Sequence, residues 1–295
     1  MQALLTSVDQ RAGPYRQRGG ECEERAKPIF AAEMATITFS KWHGTGNDFI
    51  LVDDRQRKLP EDAAALARKL CMRHFGIGSD GLILLRPAHR AGTDFHMEFL
   101  NPDGSRSFCG NGSRCAFAFH SRLAGALGPV RFTAIDGEHR ARWIGDEVEV
   151  SLRDVHAMER LEDGTLWLNT GSPHLLVPVA DPAAVDLVAE AHKYRYGPRF
   201  SKEGINVNFV RWHQGHVQMR TYERGVEAET LSCGTGVTAA ALWAMAVGLV
   251  ARECAVSTPG GKLRAMAAVH EGGFAHVFLQ GPVAHVFDGQ VKLPG

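Results

Sequence analysis

The chain has 295 residues, 44% of them hydrophobic, which is enough to bury one large core or two of ordinary size. Lys plus Arg and Asp plus Glu number 33 each, so no charge field exists to draw in nucleic acid or anionic lipid, and a small molecule is the expected partner. No apolar run reaches the roughly 18 residues of a membrane span, so the chain reads as soluble and cytoplasmic.

Residues 1–33 carry arginines, glutamates and glycines without an apolar period. They lack the apolar region of a secretory signal, and "ECEERAK" is too acidic for an organelle transit peptide, so the segment reads as a disordered extension or an overlong start. From Met34, "MATITFSKW" opens the first strand, and two halves then follow in one order. "ITFSKWHGTGNDFILVDD" and "GTLWLNTGSPHLLVPVAD" each run a strand into a Thr-Gly turn, aligning Thr45-Gly46-Asn47 with Thr170-Gly171-Ser172. "EDAAALARKLCMRHF" and "PAAVDLVAEAHKYRY" carry apolar residues three and four apart and read as helices. The strands "GIGSDGLILL" and "EGINVNFV" come next, then the alternating "HMEFLNPDGS" and "VQMRTYERGV".

A Cys-Gly-x-Gly motif then opens a helix in each half, "FCGNGSRCAFAFHSRLA" and "LSCGTGVTAAALWAMA", and a glycine-bearing meander follows it. Cys109 and Cys233 lie 124 residues apart, which is the period of the duplication. Because "VTAAALWAMAVGL" is apolar all round, it must be enclosed on every side. The expected fold is α+β, with two pseudo-symmetric domains at 34–155 and 156–281, each a curled antiparallel sheet or barrel around a central helix. The alternating "PVAHVFDGQVKL" within 282–295 is expected to return to the first half.

Of the six cysteines, Cys22, Cys71, Cys109, Cys115, Cys233 and Cys254, none forms a C-x-x-C pair, which fits a reduced compartment. Cys71, Cys115 and Cys254 read as small buried hydrophobes. No histidine pair has the H-E-x-x-H spacing, and no metal is assigned. Cys109 and Cys233 differ from the others because they sit at helix starts, where unpaired N–H groups and a partial positive charge favour a thiolate, so a lowered pKa is expected. Gly110, Gly112, Gly234 and Gly236 let the backbone approach an anion. If the halves face each other, one thiolate can take a proton from a carbon while the other thiol delivers one to the opposite face, which is stereoinversion.

At these motifs, with "KWHGTGNDF", "NPDGSRSFCGNGSRC", "TGSPH", "INVNF", "TYERGVEAETLSCGTG" and "GPVAHVFDG", the chain resembles the diaminopimelate epimerases from about Phe39 to Gly289. The resemblance implies a cofactor-independent, two-cysteine epimerisation of LL-2,6-diaminopimelate to the meso isomer, in lysine and peptidoglycan precursor synthesis, by a homodimer. It implies Cys109 and Cys233 as the acid–base pair and Gly110, Asn111, Gly234 and Thr235 as holders of the reacting carboxylate. Glu223 and Arg224 would contact ammonium and carboxylate groups, Asn47, Asn101 and Asn206 the distal end, and His174 would assist thiol ionisation.

Asn47 and Asn101 also read as turn residues, Glu223 and Arg224 as a solvated pair, and His174 as a structural histidine. Two positions depart from the family: Ser172 stands where many members have asparagine, and Gly81 where some have glutamine. A proline-type or hydroxyproline-type racemase, a non-catalytic amino-acid-binding module and a thiol redox protein are the competing readings.

Overall fold

In the computed structural model, which describes residues 36–59, 62–156 and 158–292, one sequence of elements occurs twice. The first half contains β1 (Thr36–Gly44), β2 (Asn47–Asp53), α1 (Ala63–Leu70), β3 (Gly81–Arg86), β4 (Phe95–Leu100), α2 (Gly110–Ala124), β5 (Val130–Ala134), β6 (Gly137–Ile144) and β7 (Glu147–Ser151). The second contains β8 (Met158–Arg160), β9 (Leu166–Asn169), β10 (Pro173–Pro178), α3 (Leu187–Arg195), β11 (Asn206–His213), β12 (His216–Glu223), β13 (Ala228–Thr230), α4 (Gly234–Ala246), β14 (Glu253–Thr258), β15 (Gly261–His270) and β16 (Gly273–Gly281), and β17 (Ala284–Lys292) follows. The reading of residues 1–33 as an extension falls outside the described residues.

Hydrogen bonding joins the strands into one ladder. In the first half the spatial order is β17, β1, β2, β3, β4, β5, β6, β7. In the second it is β8, β9, β10, β11, β12, β14, β15, β16, with β13 added beside β12. Both series repeat the same strand directions, and β7 meets β16 antiparallel to link them. The sheets are mixed rather than purely antiparallel: β2 with β3, β4 with β5, β10 with β11 and β12 with β14 are parallel. Each of these parallel pairs is separated in sequence by a helix, and a parallel neighbour requires such a crossover.

The duplication extends to helix capping. Asp62 accepts the Ala65 N–H at 2.9 Å at the start of α1, and Asp186 accepts the Ala189 N–H at 3.4 Å at the start of α3. Each central helix is wrapped by its own sheet, α2 by β1 to β4, β6 and β7, and α4 by β9 to β12 and β14 to β16. Residues 234–245 of α4 are buried except for half-buried Trp243, as its all-round apolar sequence requires. Each fully buried Leu or Val contributes about 1.5–3 kcal/mol of hydrophobic stabilisation. Helices α1 and α3 cover the outer faces, so β3 reads as an unbroken buried strand with a helix on either side.

Candidate active site

The two central helices meet at their N-termini. Cys109 caps α2 and Cys233 caps α4, each with extended backbone. Gly110 and Gly234 make the approach possible: a Cβ on Gly110 would stand 3.8 Å from the Gly234 Cα, and one on Gly234 would stand 2.9 Å from Asn111 Oδ1. Two positive helix ends therefore converge on one place, which favours a bound carboxylate and any negative charge that develops beside it. The Cys109 Sγ accepts the Gly112 N–H at 3.3 Å and lies 3.9 Å from Asn47 Oδ1. The Cys233 Sγ lies 3.5 Å from Thr235 Oγ1.

The expectation of lowered thiol pKa values is not met. Burial pushes the Cys109 thiol up to about 12, against the downward pull of the Gly112 and Asn111 N–H groups and the Arg114 guanidinium. Burial also raises Cys233, and the Glu223 carboxylate adds to it. A helix end offers only a partial charge, whereas removal from water acts on the whole charge of a thiolate, so desolvation wins. Glu223 itself is raised by burial, with the charge of Asp80 adding to the shift, while the Thr230 hydroxyl donates to it at 2.8 Å and opposes the rise.

Behind Cys233 stands buried His174, whose Nε2 meets Thr235 Oγ1 at 2.9 Å and whose Nδ1 meets Asn208 Nδ2 at 3.1 Å. Burial, with Arg224 adding to it, pushes His174 down to about 3, so its ring is neutral. Behind Cys109 stands Arg114, fully buried with no carboxylate at ion-pair distance among the described residues. Its Nη1 donates to Asn111 Oδ1 at 3.0 Å, and its Nε has no partner among the described residues. The Asn111 amide can then donate to the Ser232 carbonyl at 3.0 Å and to Asn47 Oδ1 at 3.2 Å, tying the two cysteine loops together. Asn47 in turn donates to Asp80 at 2.8 Å.

Asn206 donates to Ser172 Oγ at 2.8 Å and to the Pro173 carbonyl at 3.0 Å, while its own Oδ1 accepts the Arg224 backbone N–H at 2.9 Å. Ser172 thus holds Asn206 with one short bond. The Arg224 guanidinium donates to the Glu203 carbonyl at 2.9 Å. Asn101 is turned into its own loop, donating to Ser105 Oγ at 3.0 Å and Ser107 Oγ at 3.1 Å, so the turn reading describes its bonds here. At Gly81 a Cβ would run into the Phe99 ring, so Phe99 occupies the space that a larger side chain at this position would need.

Arg114, Asp80 and Asn208 escaped the sequence reading. Asn208 could have been found from the period of two, since in "INVNF" it shares a strand face with Asn206. Arg114 is three residues beyond Asn111 on α2, the spacing of helix neighbours. Asp80 had no comparable signal, because only the fold brings it to Asn47 and within range of Glu223.

A duplicated mixed-sheet fold whose two enclosed helices each present a cysteine to the other defines a class of isomerases acting on small molecules. The model of the family described as "Diaminopimelate epimerase" matches residues 39–154 and 166–286. The chain is 42% identical over 254 residues to the diaminopimelate epimerase of Flavobacterium psychrophilum, covering 84% of this chain and 97% of that one. It is 38% identical over 277 residues to that of Aquifex aeolicus, covering 87% and 98%. Among solved structures, a hydroxyproline epimerase from Agrobacterium vitis superposes with a TM-score of 0.67 at 18% identity, covering 88% of this chain and 93% of that one, and shares the fold. The chain belongs to the diaminopimelate epimerase family.

Proposed function

We propose that the protein converts LL-2,6-diaminopimelate to meso-diaminopimelate by proton transfer between two cysteines, in the cytoplasmic synthesis of lysine and peptidoglycan precursors. The observation that carries this is the apposition of the Cys109 and Cys233 helix starts through Gly110 and Gly234. One cysteine, as thiolate, takes the α-proton; the other, as thiol, gives its proton to the opposite face. The thiolate and thiol exchange roles, and no net proton is gained or lost. The backbone at Gly110, Asn111, Gly234 and Thr235 holds the reacting carboxylate and stabilises the charge that develops as the α-proton leaves.

Glu223 takes the ammonium, whose charge favours ionisation of the neighbouring thiol. Arg224, Asn47, Asn206 and Asn101 serve the distal end, where Ser172 contributes one hydroxyl in place of an amide. This scheme uses no cofactor. A homodimer, and a division of the chain at 155/156, belong to the same reading. Edge strand β17 supports the dimer, since among the described residues it pairs only with β1, and it exposes Val286 and Phe287.

The test is an NMR time course of LL-diaminopimelate with reduced enzyme in deuterium oxide, alongside Cys109→Ser and Cys233→Ser. Meso product carrying deuterium at the inverted centre, lost in both variants, is the expected result. No inversion and no exchange by the reduced protein refutes the proposal and directs the search to proline-type substrates.

A further inference from the structure

The two halves carry different side chains at equivalent places behind their cysteines. In the strand register Phe49 faces Gly81 as His174 faces Asn206; two residues further along, Ile83 faces Phe99 as Asn208 faces Thr221. The second motif glycine confirms the correspondence, because Gly112 abuts Ile83 while Gly236 abuts Asn208 and His174. An apolar trio, Phe49, Ile83 and Phe99, therefore backs Cys109, and a polar trio, His174, Asn208 and Thr221, backs Cys233. All three polar residues are buried, at 0–2% exposure. The fold does not demand them there, since the first half fills the same positions with hydrocarbon.

We infer that Asn208 is a positioning residue that fixes the tautomer of His174, so that a chain of hydrogen bonds ends with a proton pointed at the Cys233 sulfur. The inference rests on the proposed role of Cys233. The Asn208 amide has one orientation: its Nδ2 donates to the Leu175 carbonyl at 3.1 Å, and its Oδ1 accepts from Thr221 Oγ1 at 3.0 Å. The same Nδ2 faces His174 Nδ1, which must then be the unprotonated nitrogen. The neutral ring carries its proton on Nε2 and donates to Thr235 Oγ1, leaving the Thr235 hydroxyl hydrogen for Cys233. Thr221, Asn208, His174 and Thr235 thus form a one-way relay. Cys109 has the Gly112 N–H and Asn47 instead, so the two thiols are inequivalent at rest. The titratable and charged groups acting on this corner are Glu223, Arg224 and Cys109.

The experiment uses the full chain. Nitrogen-15 NMR of the His174 ring in the unaltered protein reads the tautomer directly and needs no variant. Iodoacetamide alkylation of Cys233 and Cys109, followed against pH by mass spectrometry, is then compared in wild type, Asn208→Leu and Thr221→Val. The expected results are a proton on Nε2 and about tenfold slower Cys233 alkylation at neutral pH in Asn208→Leu, the size of one lost hydrogen bond to a charged group. A smaller change of the same sign is expected in Thr221→Val, and none at Cys109. A proton on Nδ1, or unchanged Cys233 alkylation in folded Asn208→Leu, overturns the inference. Because neither readout uses diaminopimelate, failure of the enzyme to epimerise it would sink the proposed substrate and leave the relay standing.

Discussion

Gly234→Ala tests whether the apposed helix starts are functional. The new Cβ would meet Asn111 Oδ1 at 2.9 Å, Leu279 Cδ2 at 3.0 Å and Asn111 N at 3.1 Å, where ordinary contact begins at 3.4 Å. Leu279 can swing aside, but Asn111 is held by Arg114 and by the Ser232 carbonyl, so the two helix starts must separate by about 0.5 Å. Overpacking of this kind costs about 1–3 kcal/mol, and the better helix propensity of alanine offsets up to about 1 kcal/mol. A fall in Tm of about 3–6 °C is expected.

Turnover should suffer more. A misplacement of about 1 Å costs about a hundredfold, so half that distance should lower kcat/KM about tenfold. Gly110→Ala, whose Cβ meets only Leu279 at 3.0 Å as a close contact, should show a smaller loss, and Gly128→Ala, with nothing within 4 Å, none. Thermal denaturation and the deuterium-exchange assay read both effects. If Gly234→Ala matched Gly128→Ala in Tm and kcat/KM, the reasoning from the close approach would be wrong.

Arg114→Met removes a buried charge that has no carboxylate partner among the described residues, so stability should hold or rise while turnover falls about tenfold or more, because Asn111 is released and Cys109 loses a nearby cation. A large drop in Tm with unchanged turnover would count against that role. Gly81→Gln should destabilise the protein by about 1–3 kcal/mol in denaturant titration, and the same substitution should cost less in a Phe99→Ala background, although that background is itself destabilised because Phe99 is buried in the core. A tolerated Gly81→Gln alone would show that Phe99 does not set this position.

In the role proposed for it Glu223 must be ionised to take an ammonium, and burial raises its pKa. Substrate binding should therefore weaken as pH falls while still above the ordinary carboxylate range, and Glu223→Gln should abolish that limb of the pH profile. Since the folded protein holds the proton more tightly than the unfolded chain, ionisation costs stability as pH rises past the unfolded value. Glu223→Gln should then melt higher at neutral pH, and a lower Tm would contradict the sign.

The duplication, the two helix starts and their cysteines were legible in the sequence because each is written locally. Capping aspartates, apolar spacing and glycines all act within a few residues, and they recur at one period. The enclosed setting of α4 followed from the same logic, since a helix without a polar face has nowhere else to go. Asn101 stands in its expected loop, but its partners there, the Ser105 and Ser107 hydroxyls, are set by how that loop folds back rather than by the motif.

Only the tertiary structure decided the quantities that depend on distant partners. The thiols rise rather than fall in pKa because the sheets remove water from them. Arg114 joins the Cys109 helix to the Cys233 loop through Asn111 and Ser232, residues separated by 121 positions in the chain. The contrast between Phe49, Ile83 and Phe99 and their counterparts His174, Asn208 and Thr221 emerges only when strand register shows which residues are equivalent. Local pattern specifies which face of an element is buried, while the dielectric and the hydrogen-bond partners at that face come from elements far away in sequence.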